Sequence, residues 1–192
     1  MKTEDFPCVK EARAVVKAQF KHYNEMMNEK EKSKMKTVKG NLITLAEQGE
    51  FDVIVQGCNC FETMGSGIAR EIREKYPLAY QADLDYSVSG DYSKLGNYSV
   101  MLGKEVRVPF DIVNAYTQYD FSRGHDVFEY VSFAMILQKL AYEYPLARVG
   151  FPMIGCGLAG GNEPRIMAMI QKFSDELLLT GGTVTVVEFS ND

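Results

Sequence analysis

What the sequence has little of narrows the field first. Four cysteines in 192 residues, Cys8, Cys58, Cys60 and Cys156, are too few for a disulfide-built fold, and the last three fall in segments that read as strand ends. Reduced thiols are expected. No apolar run approaches the roughly 20 residues that cross a bilayer. The opening Met1-Lys2-Thr3-Glu4-Asp5 also lacks the basic-then-apolar plan of a signal peptide, so a cytoplasmic protein without a membrane partner is expected. Positive charge is in deficit: 21 Lys and Arg against 26 Asp and Glu leave a net charge of −5. A broad basic surface that grips nucleic acid is therefore not indicated. An anionic ligand would have to be held by local backbone donors.

Several reaction signatures are missing as well. No G-x-x-x-x-G-K-[ST] occurs, which removes a P-loop triphosphatase. No cysteine has an arginine six positions later, and no Gly-x-Ser-x-Gly elbow is present, so covalent catalysis has no evident nucleophile. Histidine occurs twice only.

What is present is the material of a globular domain: 46% hydrophobic and 24% charged residues can offset chain entropy by burial. Ala12, Val15, Val16, Gln19, Phe20, Tyr23, Met26 and Met27 recur at helical spacing before the charged stretch 28–34. Residues 1–34 therefore read as an N-terminal helical extension and 35–192 as one domain. In that domain β-type runs at 36–42, 51–56, 98–102, 105–116, 148–154 and 183–189 alternate with helical segments at 66–75, 126–144 and 162–179. Crossover helices imply parallel strands, while Gly103-Lys104 offers a tight connection for one antiparallel hairpin. The expected fold is a three-layer α/β/α domain on a mixed, mostly parallel six-stranded sheet.

Two loops concentrate the chemistry. The buried run Asp52-Val53-Ile54-Val55 feeds, through Gln56-Gly57-Cys58-Asn59-Cys60, into Gly65, Ser66, Gly67, Ile68 and Ala69 and then a helix. A helix N-terminus reached through glycine suits a phosphate, because its first N–H groups lack partners and its dipole favours negative charge. The run 148–154 leads in the same way into Gly155, Cys156, Gly157, Leu158, Ala159 and Gly160. Two such ends side by side at the carboxyl edge of a parallel sheet would hold a diphosphate. Alternatives remain open. Gly65 and Gly67 read equally as a tight turn. Gly155, Gly157 and Gly160 match G-x-G-x-x-G with Glu188 ending the next strand, but only 32 residues follow Gly160, too few for the units a dinucleotide fold adds. Cys58, Cys60 and Cys156 read as zinc ligands or, more simply, as small apolar side chains beneath a loop.

In their order and spacing, Val38-Lys39-Gly40-Asn41-Leu42, Val53-Ile54-Val55-Gln56-Gly57-Cys58-Asn59-Cys60, Gly65-Ser66-Gly67-Ile68-Ala69 and Pro152-Met153-Ile154-Gly155-Cys156-Gly157-Leu158 resemble a macrodomain, from about Met35 to the end. The resemblance is to the branch holding ADP-ribose 1''-phosphate phosphatases and ADP-ribosyl hydrolases. It implies ADP-ribose or a derivative as ligand, with no cofactor and no metal.

Position by position, the resemblance places Asn41 where the adenine amino group is received, Phe189 where a ring stacks on the base, and Asn59 at the distal ribose. It places the backbone amides of both loops on the diphosphate. Asn114 ends a strand beside the distal ribose, and the polar stretch after it contains Arg123 and His125. There Asn59 and His125 would position water and Arg123 would offset charge on a leaving phosphate. Ala159 stands where one hydrolase subgroup carries an acid, and Gln56 where a phosphatase subgroup carries a histidine, so neither of those mechanisms is implied.

Overall fold

The computed structural model describes residues 35–121 and 126–190. The expected N-terminal helical extension, and Arg123 and His125, lie outside the described residues. Six strands form one sheet: β1 (Lys36–Gly40), β2 (Val53–Asn59), β3 (Tyr98–Met101), β4 (Asp111–Gln118), β5 (Arg148–Pro152) and β6 (Thr183–Phe189). Their order is β1-β6-β5-β2-β4-β3, with every pairing parallel except β3 against β4. The helices are α1 (Leu42–Glu47), α2 (Gly67–Lys75), α3 (Pro77–Tyr86), α4 (Gly103–Val106), α5 (Tyr130–Glu143) and α6 (Glu163–Leu178).

Alternate residues of a strand face opposite sides, so two interleaved apolar sets decide the layers. Val53, Val55, Val113, Ala115, Val149, Phe151, Val184 and Val186 lie in one core with Phe133, Ile136 and Leu140 of α5 and Ile166, Ile170 and Phe173 of α6. Ile54, Ile112 and Val187 belong to a second core with Leu42 and Ile43 of α1, Ile72 of α2 and Ala79 of α3. Each large side chain so buried contributes about 1.5–3 kcal/mol. The result is the expected three-layer α/β/α arrangement. No helix of the described residues is long and apolar enough to cross a membrane.

Three local expectations are corrected. Residues 105–116 are not one strand, and Gly103-Lys104 is not a tight hairpin turn. Instead α4 intervenes and β4 begins at Asp111. A β-carbon on Gly103 would lie 2.2 Å from the Phe110 carbonyl oxygen, and the Asp111 carboxylate accepts from the Gly103 amide at 2.8 Å, so the chain folds back too closely for any side chain. Leu42 starts α1 rather than ending β1, because Asn41 accepts from the amides of Ile43 and Thr44 and caps the helix. Helix α3 went unread because it buries only Ala79 and Asp83, one of them charged, and leaves no apolar stripe to recognise.

Candidate functional site

Strands β5, β2 and β4 run parallel and end at one edge of the sheet, where the segments leaving them wall a cavity of about 480 Å³. Gly65, Ser66, Gly67, Ile68 and Ala69 line one side; Gly155, Gly157, Leu158 and Ala159 line another; Asn59, Thr117, Gln118 and Phe121 complete it. The two glycine-bearing loops thus share one cavity.

Their backbone donors are unspent. Ser66 caps α2 without a side-chain hydrogen bond, and the amides of Ser66, Gly67, Ile68 and Ala69 donate to no acceptor among the described residues. The same holds for the amides of Gly157, Leu158 and Ala159. The two junctions are nevertheless built differently. Helix α6 is capped by Asn162, whose side chain accepts from Arg165 N at 3.0 Å, so the second loop offers amides from the loop itself, ahead of the helix. That loop is fixed by bonds from Gly160 N to Gly157 O and from Gly161 N to Gly155 O. Gly155 is obligatory, with φ at +73° and a hypothetical β-carbon 2.4 Å from the Phe128 ring.

The first loop rests on buried charge. Glu62 holds φ at 55°, unusual for a residue with a side chain, and its carboxylate accepts from Lys94 Nζ at 2.8 Å. Lys94 is fully buried; Asp83 accepts from it at 3.2 Å, and the Tyr116 ring centroid lies 4.6 Å away. The Tyr116 hydroxyl donates to Asp83 at 2.8 Å. Burial pushes the Asp83 carboxyl up, with Tyr116 and Lys94 opposing it. Burial alone would lower the Lys94 ammonium, but its two carboxylate partners carry it above its ordinary value. One ammonium therefore ties the loop after β2 to α3.

The sequence-predicted residues divide clearly. Asn59 lines the cavity, although its amide is engaged: its oxygen accepts from Phe61 N at 2.8 Å and its nitrogen donates to Thr63 Oγ1 at 2.7 Å. Phe189 is 70% exposed at the end of β6, paired in register with Gly40, so it sits next to Asn41 at the same sheet edge. Asn41 is corrected as an adenine acceptor, because its oxygen already takes two helix amides and its nitrogen donates to Glu71 at 3.0 Å.

Asn114 is corrected outright. It is wholly buried beneath α3, accepting from Gln56 at 2.7 Å and donating to the Ala79 carbonyl and the Ser99 hydroxyl. Cys156 does not line the cavity, and its amide donates to Met153 O. Cys58 and Cys60 are core residues. Burial pushes the Cys58 thiol well up and the Cys60 thiol to about 11, so neither is a thiolate at neutral pH. Among the described residues no group of three or more His, Cys, Asp or Glu is placed to hold a metal.

Thr117, Gln118 and Phe121 were not singled out from sequence, although Thr117 and Gln118 end β4 and Phe121 lies three residues beyond it. The described residues lining the cavity include no ionisable side chain. Such a site can hold an anion on backbone dipoles while adding no countercharge.

Comparison with known proteins gives the fold a context. No family model matches the chain. An uncharacterised 17.5 kDa protein from the tk–vs intergenic region of Enterobacteria phage T4 is 33% identical over 147 residues, covering 74% of this chain and 92% of that protein. A Bacteroides thetaiotaomicron protein of unknown function superposes with a TM-score of 0.65 at 21% identity, covering 80% of this chain and 97% of its own. The macrodomain of Thermus aquaticus DarG gives 0.61 at 22% identity, covering 81% and 97%. A Trypanosoma brucei macrodomain, solved in complex with ADP-ribose, gives 0.57 at 14% identity, covering 80% of this chain and 62% of that one.

Proposed function

The chain folds as a macrodomain and belongs to one family with the phage T4 17.5 kDa protein, and on that premise we propose that its cavity binds ADP-ribose, with the diphosphate between the two loops. The observation that carries this is the pair of unspent amide sets, at 66–69 and 157–159, on the walls of one cavity without charged side chains. Hydrogen bonds from amides to an ionised acceptor contribute about 1.5–3 kcal/mol each, and a diphosphate is long enough to use both sets where a monophosphate uses one.

Strand order supports the orientation of the rest. With the diphosphate over β5 and β2, one end of the ligand points towards β6 and β1, where the exposed Phe189 ring offers a stacking face for adenine. The other end, the distal ribose, points towards β4.

Hydrolysis at the distal ribose, as an ADP-ribose 1''-phosphate phosphatase or an ADP-ribosyl hydrolase, extends the same reading. Asn59 and Phe121 line the cavity, and Arg123 and His125 follow Phe121 closely in the chain.

Calorimetric titration with ADP-ribose and AMP tests the binding step. ADP-ribose is expected to bind at least about tenfold more tightly than AMP, which presents one phosphate instead of two; equal affinities, or no binding of either, would sink the reading. Phosphate release from ADP-ribose 1''-phosphate, compared between the parent and His125→Ala, tests the chemical step; unchanged turnover would remove His125 from it.

A further inference from the structure

Of the polar side chains that line the cavity, Asn59, Thr63 and Gln118 are committed to partners within the chain, and Ser66 is exposed to solvent. Asn59 and Thr63 bond each other, and Gln118 donates to the Asp120 carbonyl at 2.7 Å. Thr117 differs. It lines the cavity, it is 1% exposed, and its hydroxyl finds no hydrogen-bond partner among the described residues. A buried hydroxyl left unpaired is costly enough that each instance calls for a physical reason.

Two features of the backbone bear on Thr117. The β2–β4 ladder is in register through Cys58 and Tyr116, but Asn59 then pairs with Gln118, so Thr117 is the extra residue of a β-bulge. Bulges re-aim a side chain at the end of a ladder. Opposite it stands Gly57, where an added β-carbon would come within 3.0 Å of Thr117 Oγ1 and 3.2 Å of Ile154 Cγ1. A side chain at position 57 would crowd the hydroxyl. Bulge and glycine together leave a buried oxygen at the cavity wall with its hydrogen-bonding capacity unused.

We infer that Thr117 Oγ1, reached through the gap at Gly57, is a hydroxyl-reading subsite in the cavity that hydrogen-bonds the distal ribose of the bound nucleotide. The inference rests on the ADP-ribose reading above, which directs that sugar to the β4 end. Thr117 is a specificity residue here: it distinguishes a ligand that carries a second sugar from one that stops at the diphosphate.

The test is titration of ADP-ribose and ADP against the parent, Thr117→Val, Thr117→Ser and Gly57→Ala. Valine keeps the shape and removes the hydroxyl, so Thr117→Val is expected to weaken ADP-ribose binding roughly tenfold and to leave ADP binding unchanged. Thr117→Ser restores the hydroxyl and should remain within about threefold of the parent for both ligands. Gly57→Ala closes the gap and should follow Thr117→Val. Parent-like ADP-ribose affinity in Thr117→Val, or equal losses for the two ligands, would overturn the subsite while leaving the ADP-ribose reading intact. A parent chain that binds neither ligand overturns both.

Discussion

The two ends of the same strands are built on opposite principles. At the amino edge, where β5 and β2 begin, Asp52 is clasped by Arg148 through two side-chain bonds, at 2.6 and 3.1 Å, and through the Arg148 amide at 2.8 Å. Close by, where β4 begins, Asp111 accepts from Gly103 N and from the Tyr144 hydroxyl. Donors and acceptors there are matched within the chain. At the carboxyl edge the loop amides and the Thr117 hydroxyl go unmatched, and charge is withdrawn beneath the floor, in Lys94, Asp83 and Glu62. The comparison teaches where this fold keeps binding capacity: unmatched dipoles are tolerated at an edge whose neighbours are rigidly tied elsewhere.

The largest effect that would break the comparison lies under the floor. Lys94→Met leaves Asp83 and Glu62 buried without their cation, and should lower the unfolding free energy in urea by about 3–5 kcal/mol. Because Glu62 belongs to the first loop, ADP-ribose affinity should fall too. A variant as stable as the parent would show that the loop does not depend on the buried ammonium.

A smaller effect belongs to the amino edge. The Arg148 guanidinium holds the Asp52 carboxyl below its ordinary value, with burial opposing it. A depressed carboxylate contributes stability that is present above its unfolded pKa and is lost as pH falls through the folded one. Both side chains are nearly half exposed, so Asp52→Asn should cost only about 0.5–1 kcal/mol at pH 7, a difference that disappears as the parent is titrated down through the lowered pKa of Asp52. ADP-ribose affinity should stay unchanged, and a fall in affinity would mean that the two edges are coupled.

The smallest expected effect is a constancy. With no ionisable side chain among the described residues lining the cavity, the ADP-ribose affinity of His125→Ala should vary by less than about twofold between pH 6 and 9. A transition near the ordinary imidazole range would instead bring a histidine to the ligand, and the described residues contain none.

Much of this was legible beforehand, for reasons that can be located. Val53, Ile54 and Val55 announce a strand buried on both faces, and the glycines after β2 and β5 announce bends at which a backbone must come close to something. Both are local properties. The roles of Asn41 and Asn114 were misjudged because the sequence names an amide without naming its partners. Asn41 spends its amide on capping α1 and on Glu71, and Asn114 spends its own on Gln56, Ala79 and Ser99. Those partners come from elements up to 58 positions away.

The sequence by itself thus determined the alternation of strands and crossover helices, the layers they must form, and the two loops that would meet at one edge. Spacing and chain stiffness are encoded residue by residue. Only the tertiary structure decided which polar groups are spent and which are left over: that α2 lacks a side-chain cap while α6 has one, that a one-residue bulge turns Thr117 towards the gap at Gly57, and that Lys94 lies buried between two carboxylates. A hydrogen bond is satisfied or orphaned by what folding brings within about 3 Å, and no local pattern carries that information.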